Sequence, residues 1–119
     1  MKPSKREYIF FLEDIDLAMS RIQEYIEELD FQHFKRDYKT VDAVIRNLEI
    51  IGEASKNLPK KLKDKNDSVP WEEMYRLRNR ISHEYFGVDY EIIWDIIAVH
   101  LPQNHKDIKA ILEKERGEE

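Results

Sequence analysis

The chain has 119 residues, of which 38% are charged and 41% are hydrophobic, and its net charge is −5. This length fits one folded domain, residues 1–119, and is too short for two independent cores. The absence of cysteine excludes disulfides, thiolate metal sites and cysteine nucleophiles. The three glycines, the four prolines and the lack of low-complexity tracts argue against disorder.

The N-terminal residues are basic and then apolar, but the apolar run YIFFL at 8–12 is followed at once by acidic residues. Such a run is too short for a signal peptide or a membrane span. We therefore expect a cytoplasmic protein that does not enter a membrane.

The first two helices are predicted from capping residues and apolar spacing. Ser4 and Glu7 have the spacing of a capping box, and a broad apolar stripe continues to about Asp30. A stripe this broad needs two neighbours, one of which could be a second chain. After a predicted loop, Thr40 is expected to cap a second helix that Pro59 ends.

Two further helices and a short fifth follow. Pro70 suits the first position of the third helix, and Gly87 can close it. Asp89 is predicted to cap the fourth, with a kink or break at Pro102 before the fifth. Since no convincing alternating strand pattern occurs, we predict an all-α, up-and-down bundle of four to five helices.

Four side chains able to handle a phosphodiester lie within eight positions of the third helix: Arg78, Asn79, His83 and Tyr85. Asn79 and His83 are one turn apart, so the amide can orient the imidazole. Arg78 and His83 are about 140° apart around the helix, so they do not point at one spot. Either the helix unwinds near His83, or a second copy completes the site across a two-fold axis.

The second option also supplies chemistry that one copy lacks. Cleaving RNA without metal requires one group to remove a proton from the 2′-hydroxyl and another to protonate the leaving 5′-oxygen. A homodimer would supply two His83 imidazoles for proton transfer and two Arg78 guanidiniums for the charged phosphorane. Structural alternatives remain, since Arg78 could pair with a carboxylate and Tyr85 could fill the core.

Other polar residues give weaker patterns. Glu53 lies in an apolar setting and could support the site by reaching an arginine of the third helix, or could have a surface or capping role. His33, His100 and His105 lack metal-ligand spacing, so we expect neither a bound metal nor a cofactor.

Basic residues cluster in two places, although the chain as a whole is acidic. One cluster precedes His83 and contains Arg76, Arg78 and Arg80. The other contains Lys56, Lys60, Lys61, Lys63 and Lys65. The lysine run is either a solvated connector or a local patch for phosphate.

The segment Arg78-NRIS-His83-Glu84-Tyr85 fits the R-x4-H-x-Y signature of HEPN-domain ribonucleases. With VIRNLEIIGEAS at 44–55, VPWEEMYRLRNRISHEYFGVD at 69–89 and IIWDIIAVHLPQ at 92–103, the chain resembles the HepT-like branch over nearly its whole length, from about Tyr8 to Leu112. The short motif is weak evidence by itself, and the flanking segments make it specific.

The resemblance implies a helical bundle that dimerises and acts as a metal-independent RNA endonuclease. HepT-like proteins are typically toxins of two-gene HEPN/MNT toxin-antitoxin systems whose partner is a minimal nucleotidyltransferase. Carried over by position, Arg78 and His83 are catalytic, Asn79 supports them, and Tyr85 is the tyrosine that the antitoxin AMPylates. The alternative is a non-catalytic HEPN interaction subunit that binds a nucleotidyltransferase or a nucleotide.

Overall fold

The computed structural model describes residues 4–83 and 89–117, with backbone alone for 78–83. In chain order the helices are α1 (Lys5–Ile26), α2 (Phe31–Arg36), α3 (Tyr38–Lys56), α4 (Lys60–Lys65), α5 (Trp71–His83), α6 (Tyr90–Asp95) and α7 (Leu101–Gly117), with a π-helical turn (Ile96–His100) joining the last two. The described residues contain no strand. None of the helices in this part of the chain combines the length and apolarity needed to cross a bilayer.

The bundle is organised around α1 and α3. Helix α3 packs against both α1 and α5, while α7 packs against α1. The centre is filled by aliphatic side chains that are less than 2% exposed, among them Leu12, Ile15, Val44, Ile93 and Ile108. Full burial of one such side chain contributes about 1.5–3 kcal/mol, so this shared core holds the helices together. The prediction of an all-α bundle is confirmed.

Helix α1 begins as predicted and ends earlier than predicted. The backbone N–H of Glu7 donates to the Ser4 hydroxyl at 3.2 Å, which confirms the capping box. The helix ends at Ile26 and does not reach Asp30. Asp30 instead caps α2, where its carboxylate accepts from the backbone N–H of His33 at 2.9 Å. The segment predicted as a loop therefore contains a short helix.

The cap of α3 was assigned to the wrong residue. Asp37 caps this helix, and Thr40 donates to it through its backbone N–H at 3.2 Å and its hydroxyl at 2.8 Å. The hydrogen bond from the Thr40 hydroxyl has the larger effect and that from the backbone N–H the smaller. Both hold the pKa of the Asp37 carboxyl below its ordinary value, because they favour the charged form. Thr40 is thus a donor in the first turn and not the cap.

The last helical segment continues through Pro102. Asp89 caps α6 as predicted, accepting from the backbone N–H of Glu91 at 2.8 Å. The chain then makes the π-helical turn, in which the N–H of Leu101 donates to the carbonyl of Ile96, and α7 runs on to Gly117. Of the predicted kink or break at Pro102, the break does not occur, and the helical irregularity is the π-helical turn directly before the proline. The predicted closing residue Gly87 lies outside the described residues.

Polar side chains join α7 to α1 at the edge of the core. His105 is only 8% exposed. Its Nε2 lies 2.7 Å from an Asp16 oxygen and its Nδ1 lies 2.5 Å from the Gln23 side-chain oxygen. Farther along, the Tyr8 hydroxyl donates to the buried carboxylate of Glu115 at 3.3 Å. Buried polar groups with partners avoid the cost of unpaired burial, so these contacts fix α7 on α1.

We predict that His105→Ala destabilises the protein by about 1–3 kcal/mol, because it removes a buried ring and leaves Asp16 and Gln23 without their shared partner. The measurement is the free energy of unfolding from urea titration followed by circular dichroism. His100→Ala is the matched control, since His100 is exposed and pairs with Asp95 at 3.3 Å on the surface. Equal stability losses in the two variants would contradict a structural role for His105.

Candidate functional site

The predicted site lies on α5 and just beyond it. Arg78, Asn79 and His83 lie in the last turns of this helix, whose backbone remains helical through His83. Arg78 and His83 therefore keep their separation of about 140° around the helix axis. The side chains of residues 78–83 are not described, and Tyr85 lies outside the described residues. The catalytic and modification roles of these residues stay predictions.

The start of α5 is fixed by its own sequence. Trp71 is buried, and its indole N–H donates to the backbone carbonyl of Asn66 at 3.0 Å. Glu72 and Glu73 lie in the first turn, where carboxylates interact favourably with the helix dipole. Met74 and Leu77 are half-buried and pack against the core. The first half of α5 is therefore fixed to the rest of the fold, and Arg78, Asn79 and His83 lie in its second half.

Helices α3 and α5 run antiparallel. The Lys56 ammonium, at the end of α3, lies 5.5 Å from the ring centroid of Tyr75, near the start of α5. Both helices rise about 1.5 Å per residue. The turn of α3 that precedes Lys56 therefore lies beside the turn of α5 that follows Tyr75. This register places the Glu53 turn alongside the Arg78 turn.

Glu53 was predicted to support the site. Its side chain is exposed, and its backbone carbonyl accepts from the side-chain amide of Asn57 at 3.1 Å. It lines a pocket of about 280 Å³ with Arg46 and Asp14, between α1 and α3. The register favours a contact with Arg78, but that side chain is not described, so the supporting role stays a prediction.

Helix α5 lies at the edge of the bundle. Among the described elements, it packs mainly against α3 and makes no comparable contact with α1 or α7. The position of α5 in the described structure is therefore set mainly by α3.

The other histidines do not form a second candidate site. His33 is exposed and lies 2.7 Å from Asp30 at the α2 cap, while His105 is engaged with Asp16. Among the side chains that the structure describes, no three histidine, aspartate or glutamate side chains are grouped as metal ligands would be. The described part of the chain thus offers no donor set for a metal.

The sequence of the chain matches a known protein family. The family model described as Ribonuclease HepT-like matches residues 15–112. The chain belongs to the HepT-like ribonuclease family. The matched segment begins in α1 and ends in α7, so it includes α3, α5 and every predicted site residue. The predicted resemblance to the HepT-like branch is confirmed.

Individual relatives agree with the family match. The chain is 44% identical over 115 residues to a putative RNase of Methanocaldococcus jannaschii, covering 97% of this chain and 95% of the relative. It is 46% identical over 98 residues to a probable ribonuclease HepT of Thermococcus cleftensis, covering 82% and 89%. No solved structure gives a significant match to the chain.

Proposed function

We propose that this protein is a metal-independent RNA endonuclease. One observation carries the proposal: a chain of the HepT-like ribonuclease family bears Arg78 and His83 on a helix at the edge of its bundle. The family is described as a ribonuclease family, and the motif contains a histidine and an arginine, which are residue types suited to RNA cleavage. An imidazole can transfer protons near neutral pH, and a guanidinium can bind phosphate oxygens in two places.

The proposed reaction uses the RNA's own 2′-hydroxyl. Its oxygen attacks the adjacent phosphorus while a neutral His83 imidazole takes its proton, and the bond from phosphorus to the 5′-oxygen breaks. A protonated imidazole gives its proton to that leaving oxygen. The products are a 2′,3′-cyclic phosphate and a 5′-hydroxyl, and Arg78 stabilises the charge that develops on the phosphorane.

The reaction needs a proton acceptor and a proton donor at the same time, and each chain has one histidine in the motif. We propose that two copies meet through their α5 helices about a two-fold axis and pool His83 and Arg78 in one cleft. The helical backbone through His83 supports this arrangement, because positions 78 and 83 are then about 140° apart around the helix axis. Asn79 would orient the imidazole, and Glu53 would orient an arginine.

We further propose that the protein is the toxin of a cytoplasmic toxin-antitoxin pair. A minimal nucleotidyltransferase antitoxin would silence it by AMPylating Tyr85, two positions past His83. The Tyr85 oxygen would attack the α-phosphorus of ATP, pyrophosphate would leave, and the phenolic proton would pass to solvent. The added anion would fill the cleft and repel RNA phosphate, which accounts for inactivation.

We predict that purified protein cleaves single-stranded RNA in the presence of a chelator and that His83→Ala and Arg78→Ala each lower the rate by about 10²–10⁴-fold, the usual contribution of general acid-base groups. The rate is measured by gel electrophoresis of a labelled RNA, with mass spectrometry of the new ends. Arg21→Ala is the control, because Arg21 is an exposed arginine on α1, outside the motif helix and outside the lining of the lysine groove.

The control is expected to retain wild-type activity. Identical products and rates from the wild type and both motif variants would contradict the proposed site. Well-folded dimers that never cut RNA would instead favour the non-catalytic interaction subunit.

We predict that a cognate minimal nucleotidyltransferase, supplied with ATP, adds the mass of AMP to the wild-type protein and abolishes cleavage, because the phenolic oxygen of Tyr85 is the proposed acceptor. Intact-mass spectrometry and the cleavage assay provide the two readouts. Tyr85→Phe should stay unmodified, whereas Tyr90→Phe, which removes an exposed tyrosine outside the motif, should be modified normally. Modification of Tyr85→Phe would rule out Tyr85 as the target.

A further inference from the structure

A groove lies between the end of α3, helix α4 and the start of α5. It has a volume of about 880 Å³. Lys56, Lys60 and Lys63 line it from α3 and α4, and the aromatic residues Trp71 and Tyr75 line it from α5. Trp71 is buried, so the half-buried Tyr75 supplies the accessible ring of the lining. Lysines beside an accessible aromatic ring are typical of grooves that hold single-stranded nucleic acid, where cations contact the backbone and rings contact bases.

Two of the groove's lysines are available to a ligand. Lys60 is already paired with Asp64 at 2.7 Å, and this hydrogen bond raises the pKa of the lysine above its ordinary value. In the described part of the chain, neither Lys56 nor Lys63 forms an ion pair, and Lys56 lies over the Tyr75 ring. Lys65, from the same run, points elsewhere and contacts Glu115 at 3.5 Å.

The groove also contains carboxylates, which oppose phosphate binding. Asp64 is neutralised by Lys60, and Glu72 lies 3.8 Å from Arg76. Asp67 and Glu73 remain as the uncompensated acidic groups of the lining. A phosphate chain in this groove would be attracted by Lys56 and Lys63 and repelled by these two carboxylates.

The groove and the motif share one helix. Tyr75 lines the groove, and His83 follows eight residues later on α5. At about 1.5 Å per residue, the two are roughly 12 Å apart along the axis. A stacked strand advances about 3.4 Å per nucleotide and an extended strand advances farther, so this distance corresponds to at most about three or four nucleotides.

We propose that this groove binds the RNA strand a few nucleotides from the bond that is cut, with Lys56 and Lys63 contacting backbone phosphates. The proposal rests on the proposed function, because it assigns a path to the substrate of that reaction. The groove and the motif lie on the same helix, and a strand that is cut at the motif must continue along the protein surface beyond the cut, which favours RNA as the occupant. The proposal also accounts for RNA binding by a chain with a net charge of −5, because Lys56 and Lys63 would provide positive charge where the strand lies.

The test measures the Kd of a short single-stranded RNA whose 2′-hydroxyls are methylated, which binds without being cleaved. Lys56→Gln and Lys63→Gln keep the aliphatic stem and remove the charge. Each is expected to weaken binding about two- to fivefold, the range of an exposed ion pair. Each should also reduce the slope of log affinity against log salt by about 0.7. Circular dichroism checks that the variants are folded.

Two further variants make the test specific. Lys61→Gln is the matched control, because Lys61 is an exposed α4 lysine that does not line the groove, and its Kd should equal that of the wild type. Glu73→Gln removes a repelling charge and should tighten binding about two- to fivefold. Opposite effects from lysine and glutamate variants are expected only if the strand passes through this groove.

The proposal is overturned if Lys56→Gln and Lys63→Gln bind the oligonucleotide with wild-type Kd and salt slope, or if the wild type does not bind it. If the wild type cleaves unmodified RNA but these variants bind the oligonucleotide as the wild type does, the proposed RNA path is wrong and the proposed endonuclease activity still stands. Lysine-dependent binding without any cleavage by the wild type would refute the endonuclease and leave the path. Retained oligonucleotide binding with loss of antitoxin binding in the lysine variants would assign the groove to a protein partner instead.

Discussion

The antiparallel packing of α5 on α3 is the contact on which the candidate site depends. A helix as short as α5 is marginal by itself in water, so its position comes from its neighbour. Trp71 anchors its start, and the Lys56 ammonium over the Tyr75 ring sets its register against α3. Because α5 packs mainly on α3 among the described elements, this one contact positions the backbone of the motif through His83. The proposed two-copy cleft depends on it.

The packing of α5 on α3 also fixes the position of the lysine groove relative to the motif, the two places where we propose that RNA binds. Lys56 and Tyr75 belong to the groove at one end of α5, and the motif lies toward the other end. A single strand following α5 would meet the lysines first and the histidine several nucleotides later. The chain's net charge of −5 is compatible with the proposed RNA binding, because a few local cations, not the total charge, would contact the phosphates.

Sequence analysis predicted those features that depend on local spacing. The all-α bundle, the Ser4 capping box and the Asp89 cap follow from residues a few positions apart. Asp37 was missed as the α3 cap because two capping residue types lie three positions apart, and only the backbone shows which one starts the helix. The contact of His105 with Asp16 joins residues 89 positions apart, which no local pattern reveals. Arg78, Asn79 and His83 could be proposed from the sequence because they lie within two turns of one helix, and their roles stay predictions. What their side chains contact depends on packing and assembly, which local spacing does not determine.

The central claim is that one cleft uses residues from two chains, and a mixed dimer tests it most directly. Wild-type and His83→Ala subunits with different affinity tags can be co-expressed, and the dimer carrying one of each purified through both tags. If two imidazoles act in one cleft, this dimer should cleave RNA at a rate close to that of the His83→Ala homodimer. A mixed dimer that retains half of the wild-type rate would show that each chain works alone and would contradict the account.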